Sequence, residues 1–554
     1  MRLPIHYIRA FLFVLGYILI QPLVLAQSTM TPAAWEEDIR FLQTTVHQDY
    51  PFLFKKVSKT HFDNEVTQLI DEIPKLEDHE LKVGIGRLVS LFEYGHTDIS
   101  FRQGVAPFHK LPINLYHFND GVFIEGTHKD HAVALGAKVV AIAGTPIKEV
   151  MARVRPVIPA ENEQYAKGFG LNYMIIPEVL HSQGVTPELQ SNIAMTLEKE
   201  GRTFEYSFAA VGDDSFKTRY SLMPNDDTWI SARNQDQTPL YLKNLDKVYY
   251  YEYLPEQKAV YVRHSQIAND PTVSVESFYN DVFEFIENND VEKLVLDVRL
   301  NGGGNNYLNK PFIQGLIKAE KINKEGQLFV IIGRRTFSAC QNLINEIDNY
   351  TNAIFVGEPS AENINFYGDT RTVILPNSGI HTYLSFAWWQ DKPQWENADA
   401  SVPHLAADMS FEQYRSNQDP VLEAALNFDG KDLIIDPMGY LTSLFMNGQL
   451  DKVTSEARRM AKDPAYRFVD FEKNFNTAGL NMLGGPNKEG AIMVLALNTE
   501  LYPESPQAMF SLAKAFEITK DQEKAKLFYN KAYALQPNGA LGQAAKAAIE
   551  KMSE

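Results

Sequence analysis

The sequence predicts a multidomain chain of mixed α/β and α+β architecture, helical at both ends, with a strand-rich segment and an α/β core between them. Three observations carry this expectation. A length of 554 residues exceeds what one hydrophobic core serves. A composition that is 45% hydrophobic and 12% aromatic can fill several cores. Between 247 and 430, apolar strands alternate with amphipathic helices, which is the pattern of a sheet with parallel members covered on both faces.

At the N-terminus, Arg2 and Arg9 precede an apolar run from Ala10 to Leu25 that ends in Val24-Leu25-Ala26 before Gln27. Basic residues, an apolar stretch and small residues at its end describe a secretory signal over 1–26. The run is about 16 residues long and contains Gly16, Gln21 and Pro22, short of the roughly 20 that a spanning helix needs. No Cys follows for a lipid anchor, and no later stretch reaches spanning length. The mature chain is expected to be exported to the periplasm or cell exterior without a membrane span.

Residues 27–104 read as helices, because Trp35, Ile39, Leu42 and Val46, then Phe62, Val66, Ile70 and Ile73, recur at three- and four-residue steps. They lead to Tyr94-Gly95-His96-Thr97-Asp98, a glycine-marked turn before the alternating Ile99 and Phe101. Segment 105–160 changes to short strands and one helix. Segment 161–244 reads as a strand-rich connection, with a helix-like stretch near 168–179 and strands near 192–197 and 203–208. The α/β alternation fills 245–430, and 431–554 returns to helix.

Charge and residue type exclude several functions. The net charge of -18 becomes two more negative once Arg2 and Arg9 are removed, and such a surface repels phosphate backbones, so no nucleic-acid partner is expected. The single cysteine, Cys340, cannot form an internal disulfide. No Cys/His cluster or His-Glu-x-x-His helix has zinc spacing, so neither a metal nor another cofactor is expected.

Two segments of the α/β core carry chemistry. Leu296-Asp297-Val298-Arg299-Leu300-Asn301-Gly302-Gly303-Gly304 ends a buried strand in glycines whose N–H groups can approach a substrate oxygen. Thirty residues on, roughly, the run from Phe329 passes through a tight turn and leaves Ser338 at the start of a helix, where the N–H of Ala339 is free. Serine there is also a favoured helix cap, and that structural role competes with a catalytic one.

The order of these segments resembles the tail-specific, or C-terminal processing, serine peptidase family over 245–430. The motifs are Asp-x-Arg-x-Asn-Gly-Gly-Gly at 297–304, Thr336-x-Ser338-Ala339, Val356-Gly357-Glu358-Pro359 and a closing helix from Asp419. The resemblance implies a crotonase-like α/β peptidase core. It further implies a PDZ-like domain over 105–160, because the run from Leu135 to Ile147 resembles the strand that closes that small barrel; such domains add an extended peptide to a sheet edge. The helices of 431–554 resemble tetratricopeptide repeats, with Ala508, Leu512, Ala513, Ala515, Phe516, Ala525, Tyr529, Ala532 and Leu535 at packing positions, and imply a docking surface for a protein partner.

One departure decides the branch. Where the bacterial dyad enzymes of the family carry a lysine base, this chain has Asn363, which cannot serve as one. The tricorn-like branch takes a histidine from an upstream Gly-His-Thr segment and a glutamate from a downstream Glu-Asn segment, matching Gly95-His96-Thr97 and Glu396-Asn397. The resemblance thus implies Ser338 as nucleophile, His96 as general base and Glu396 as the group orienting the base, with Gly303, Gly302 and the N–H of Ala339 as oxyanion donors. A neutral imidazole accepts the serine proton, and a carboxylate fixes its tautomer. The expected activity is an exported serine endopeptidase acting on peptides or proteins through an acyl-enzyme. The alternative is a catalytically silent ligand- or peptide-binding protein on the same scaffold.

Overall fold

The computed structural model describes residues 30–552 apart from 106, 213–217, 397 and 432. The signal expected over 1–26 lies outside the described residues. Among those residues no helix is long and apolar enough to cross a membrane.

Three helices open the described chain, Pro32–Asp49, Lys59–Glu72 and Asp78–Ser90. Thr31 Oγ1 accepts the N–H of Ala34 and Ser58 Oγ that of His61, satisfying donors a helix start leaves open. Trp35, Ile39, Leu42, Val46, Phe62 and Val66 meet in one core, which also takes in Leu375, Ile380 and Leu384 from much later in the chain. These three come from the hairpin of Phe366–Ile374 with His381–Trp389 and its turn. Asp98–Ile99 pairs antiparallel with that hairpin, Asp98 opposite Tyr383, and Thr97 Oγ1 lies 2.6 Å from Ser385 Oγ. The residues beside His96 therefore anchor the helical segment to the α/β core.

The middle of the chain forms a seven-stranded sheet. Gly121–His128 pairs with Ile113–Phe118, Lys138–Ile142 and Trp229–Ser231, while Asn192–Lys199 pairs with Lys138–Ile142 and with Arg202–Ala209. Along Asn192–Lys199 the buried residues are Ile193, Met195 and Leu197, the two-residue period of a half-covered strand. Strands from 105–160 and from 161–244 interleave here, so position 160 does not divide the sheet. The helix-like stretch resolves into Gly170–Ile175, a 3-10 segment, and Pro177–Ser182.

The α/β core is a six-stranded sheet in the order Tyr249–Leu254, Ala259–His264, Lys293–Asp297, Leu328–Ile332, Ile354–Gly357, Leu405–Ala406. The first pair is antiparallel and every later pair parallel. Every residue of Leu328–Ile332 is buried, as expected of a parallel strand covered on both faces. Helices Val275–Asn288, Asn309–Lys318 and Ala339–Tyr350 contribute to the core on one face, and Pro420–Leu426 to that on the other. The loops that follow Lys293–Asp297 and Leu328–Ile332 leave the same carboxyl edge of the sheet, where open α/β sheets place ligands. Beyond the core, helices run from Pro437–Met446 to Ala540–Lys551. Small residues bring them close: a Cβ on Gly479 would stand 2.5 Å from Leu495 Cγ.

Candidate active site

Ser338 sits between the strand Leu328–Ile332 and the helix Ala339–Tyr350 with φ +58° and ψ -130°, a conformation that a β-carbon disfavours. Such a backbone costs on the order of 1–3 kcal/mol and is held only when its surroundings determine it. The surroundings do so here: Phe337 N–H donates to Asn301 O at 3.2 Å, Thr336 Oγ1 to Val298 O at 3.1 Å, and Gly333 N–H to Thr336 Oγ1 at 3.1 Å. Room for the turn comes from the neighbouring loop. A Cβ on Gly303, whose φ is +101°, would lie 2.5 Å from Ser338 Cβ and 2.9 Å from Ala339 N. In α/β-hydrolases the glycines of a strained nucleophile turn flank the serine in sequence; here the space is provided by a glycine on an adjacent strand's loop.

Ser338 occupies the cap position of its helix, yet its side chain makes no capping hydrogen bond. Its Oγ instead lies 2.9 Å from His96 Nε2. The imidazole is sandwiched between Phe337, with centroids 4.4 Å apart and planes 19° apart, and Phe366 at 5.9 Å and 8°. Burial between these rings lowers its pKa from 6.5 to about 4, against the opposing pull of Glu161 and Asp369. The ring is therefore neutral at pH 7 and able to accept a proton.

The carboxylate beside the base is Glu362. Its Oε1 stands 3.1 Å from His96 Nδ1, with side-chain exposures of 0% and 14%. The two atoms are near but poorly aligned, since neither has a hydrogen-bond partner by angle. The 3.1 Å approach makes the contact between them electrostatic. The other oxygen, Oε2, accepts the N–H of Ser338. Glu161 lies behind it, its Oε1 accepting Gly95 N–H at 2.8 Å and its Oε2 accepting Asn363 N–H at 2.9 Å. One buried carboxyl thus ties the loop of the base to the loop of the acid. Burial pushes Glu362 well above the usual carboxylate range, and burial with the Glu362 charge pushes Glu161 up to about 8. The ligand atoms of His96, Glu161 and Glu362 lie within 4.8 Å of one another, as do those of His79, Glu80 and His181, so each set could geometrically hold a cation.

The structure joins Ser338 and His96 but not the third residue expected from sequence. Glu396 follows the 3-10 turn Pro393–Trp395, is half exposed, and accepts a bond from Lys55 Nζ at 2.5 Å. Lys55 in turn lies over the Trp388 ring, so this pair covers the outer face of the hairpin and leaves His96 to Glu362. The oxyanion donors also need correction. Gly303 N–H is already given to Asn301 Oδ1 at 2.9 Å, which leaves Gly303 a steric role. The N–H groups of Gly302 and Ala339 have no acceptor among the described residues. Glu362 and Glu161 went unnoticed in the sequence. The available signal was position: Glu362 lies in the loop after the parallel strand Ile354–Gly357, on the same edge of the sheet as Ser338.

No protein-family model and no curated protein matches the chain. Among solved structures, mature CPAF is matched at a TM-score of 0.50 with 11% identity, covering 73% of this chain and 99% of that one. Mature CPAF complexed with lactacystin gives a TM-score of 0.50 and 11% identity over 72% and 99%. The photosystem II D1 C-terminal processing protease is matched at a TM-score of 0.35 and 13% identity, over 72% of this chain and 98% of that one. The chain shares its fold with mature CPAF.

Proposed function

We propose that the chain is a serine peptidase in which Ser338 is the nucleophile, His96 the general base and Glu362 the carboxylate that orients and charges the base. The observation that carries this reading is the Ser338 hydroxyl on a strained strand-to-helix turn, released from capping and 2.9 Å from a neutral imidazole. In the first step His96 Nε2 takes the hydroxyl proton as Oγ attacks a peptide carbonyl. The imidazolium so formed is stabilised by Glu362 through Nδ1, and the tetrahedral oxygen is received by the free N–H groups of Gly302 and Ala339. His96 then returns the proton to the leaving amine, and water resolves the acyl-enzyme by the same route.

The substrate class is peptide or protein, in line with the peptidases whose fold it shares. We further propose that the protein is exported, that the seven-stranded sheet holds an extended peptide at an edge in the manner of a PDZ domain, and that the C-terminal helices dock a protein partner as tetratricopeptide repeats do. The deciding experiment is labelling with a fluorophosphonate, which reacts only with an activated serine. Wild type should be labelled and Ser338→Ala should not; a wild type that resists labelling and cleaves no peptide library would favour a silent binder.

A further inference from the structure

A cavity of about 60 Å³ lies where the seven-stranded sheet meets the α/β core, bordered by Tyr116, Tyr220, Gly333, Arg334 and Arg335 among others. That is room for a carboxyl group or two waters, each water taking about 30 Å³ of liquid. The charges around it pair off with one exception. Arg299 is held by Asp297 and Asp419, Arg334 by Glu358, and the lining acid Asp408 by Arg467 at 2.9 Å. Arg335 has no carboxylate partner among the described residues. The groups that act on its charge besides burial are the phenols of Tyr116, Tyr220 and Tyr165.

The Arg335 head is nonetheless held in place. Nη1 donates to Ser221 Oγ, and the guanidinium lies 4.6 Å from the Phe169 ring centre. Ser221 is presented by a tight turn in which Arg219 and Leu222 exchange hydrogen bonds of 2.9 and 3.0 Å. Its two central residues, Tyr220 and Ser221, both have positive φ, at +53° and +62°. Neither is glycine, so the turn carries strain that local packing must hold. On the other edge, Nε is buried without a hydrogen-bond partner. Nη2 faces the glycine loop, 3.9 Å from where a Cβ of Gly302 would stand. A buried donor left unpaired is costly, and the Nε–Nη2 edge is the one that grips a carboxylate with two parallel bonds.

We propose that Arg335 is a specificity-determining residue that binds a carboxylate of the peptide substrate close to the scissile bond. The proposal rests on the peptidase reading for its consequence in turnover, but not for the binding itself. Either an acidic side chain or the substrate's C-terminus can supply the group.

The test uses two sets of fluorogenic peptides on the full chain. One set has amidated termini and differs only by Asp against Asn at positions flanking the cleaved bond; the other differs only by a free or amidated C-terminus. Wild type should prefer the acid in one set by about 10- to 100-fold in kcat/KM, and the set that responds identifies the source. Arg335→Met should bring that ratio to about one, and Arg335→Lys should keep part of it, because a lysine retains the charge and loses the fork. The same pairs titrated by anisotropy onto Ser338→Ala should show the preference in Kd, whether or not the wild type hydrolyses them. A ratio near one in both sets for wild type, in turnover and in Kd, overturns the proposal, as does an undiminished preference in a folded Arg335→Met. Charge preference in Kd without hydrolysis of any peptide would leave the carboxylate site standing and remove the peptidase reading instead.

Discussion

Replacing Glu362 by Gln separates the role assigned to it from that of an ordinary buried acid. Burial makes His96 harder to protonate, moving it from 6.5 to about 4, which is about 3 kcal/mol against forming the imidazolium. Ionised Glu362, its Oε1 3.1 Å from Nδ1, offers about 5 kcal/mol at an effective dielectric of about 20, enough to offset that penalty; because burial holds its carboxyl well above the usual carboxylate range, that charge is supplied only by the deprotonated form. The amide removes the charge and can also turn its NH2 toward Nδ1, which favours the tautomer in which Nε2 already bears hydrogen and cannot accept from Ser338. Turnover should therefore fall by roughly two to four orders of magnitude, equivalent to about 3–5 kcal/mol. The Oε2 contact to Ser338 N–H can be kept by the amide oxygen, so the fold should survive. The assay is kcat on a fluorogenic peptide with a melting curve for each variant, and Glu396→Gln as its control. That control should change turnover less than about twofold and stability by no more than about 0.5 kcal/mol, because it breaks an exposed pair. Near-normal turnover in Glu362→Gln together with a large loss in Glu396→Gln would refute the assignment and return the orienting role to Glu396.

Gly303→Ala should destabilise by about 1–3 kcal/mol in denaturant titration and abolish phosphonate labelling, since its Cβ would meet Ser338 Cβ at 2.5 Å. Gly302→Ala, whose Cβ would find nothing nearer than 3.9 Å, should fold normally. The acid limb of kcat/KM should report the ionisation of Glu362, which burial holds well above the usual carboxylate range, because burial lowers His96 itself to about 4; a limb left unchanged in Glu362→Gln would contradict this. Glu161 is raised from 4.5 to about 8, so its neutral form favours the fold and stability is lost as pH rises from about 4.5 to about 8. Glu161→Gln gives up one of the two N–H acceptors and should melt lower at pH 5, but the gap to wild type should narrow toward pH 8; a gap that widens would reverse the sign of the argument.

Much of the architecture was legible because parallel strands covered on both faces leave unbroken apolar runs, and Leu328–Ile332 reads that way in any context. Ser338 and His96 were legible through the motifs around them. The third member was not, for a physical reason: Glu362 is fully buried and Glu396 half exposed, yet the same residue type stands at both positions and neither lies in a periodic segment. What sets them apart is Glu161, whose two hydrogen bonds draw the loops of residues 95 and 363 together. The single sheet spanning position 160 was hidden because its strands are paired across a helical insertion, and pairing partners leave no local trace.

The sequence separation of 242 positions from His96 to Ser338 also imposes an order of events. A chain emerging N-terminus first exposes the imidazole long before the hydroxyl exists, and the two come within reach only after the hairpin of Phe366–Ile374 and His381–Trp389 has formed and received Asp98–Ile99. A half-made chain consequently lacks the paired hydroxyl and imidazole, which meet only with completion of the whole seam.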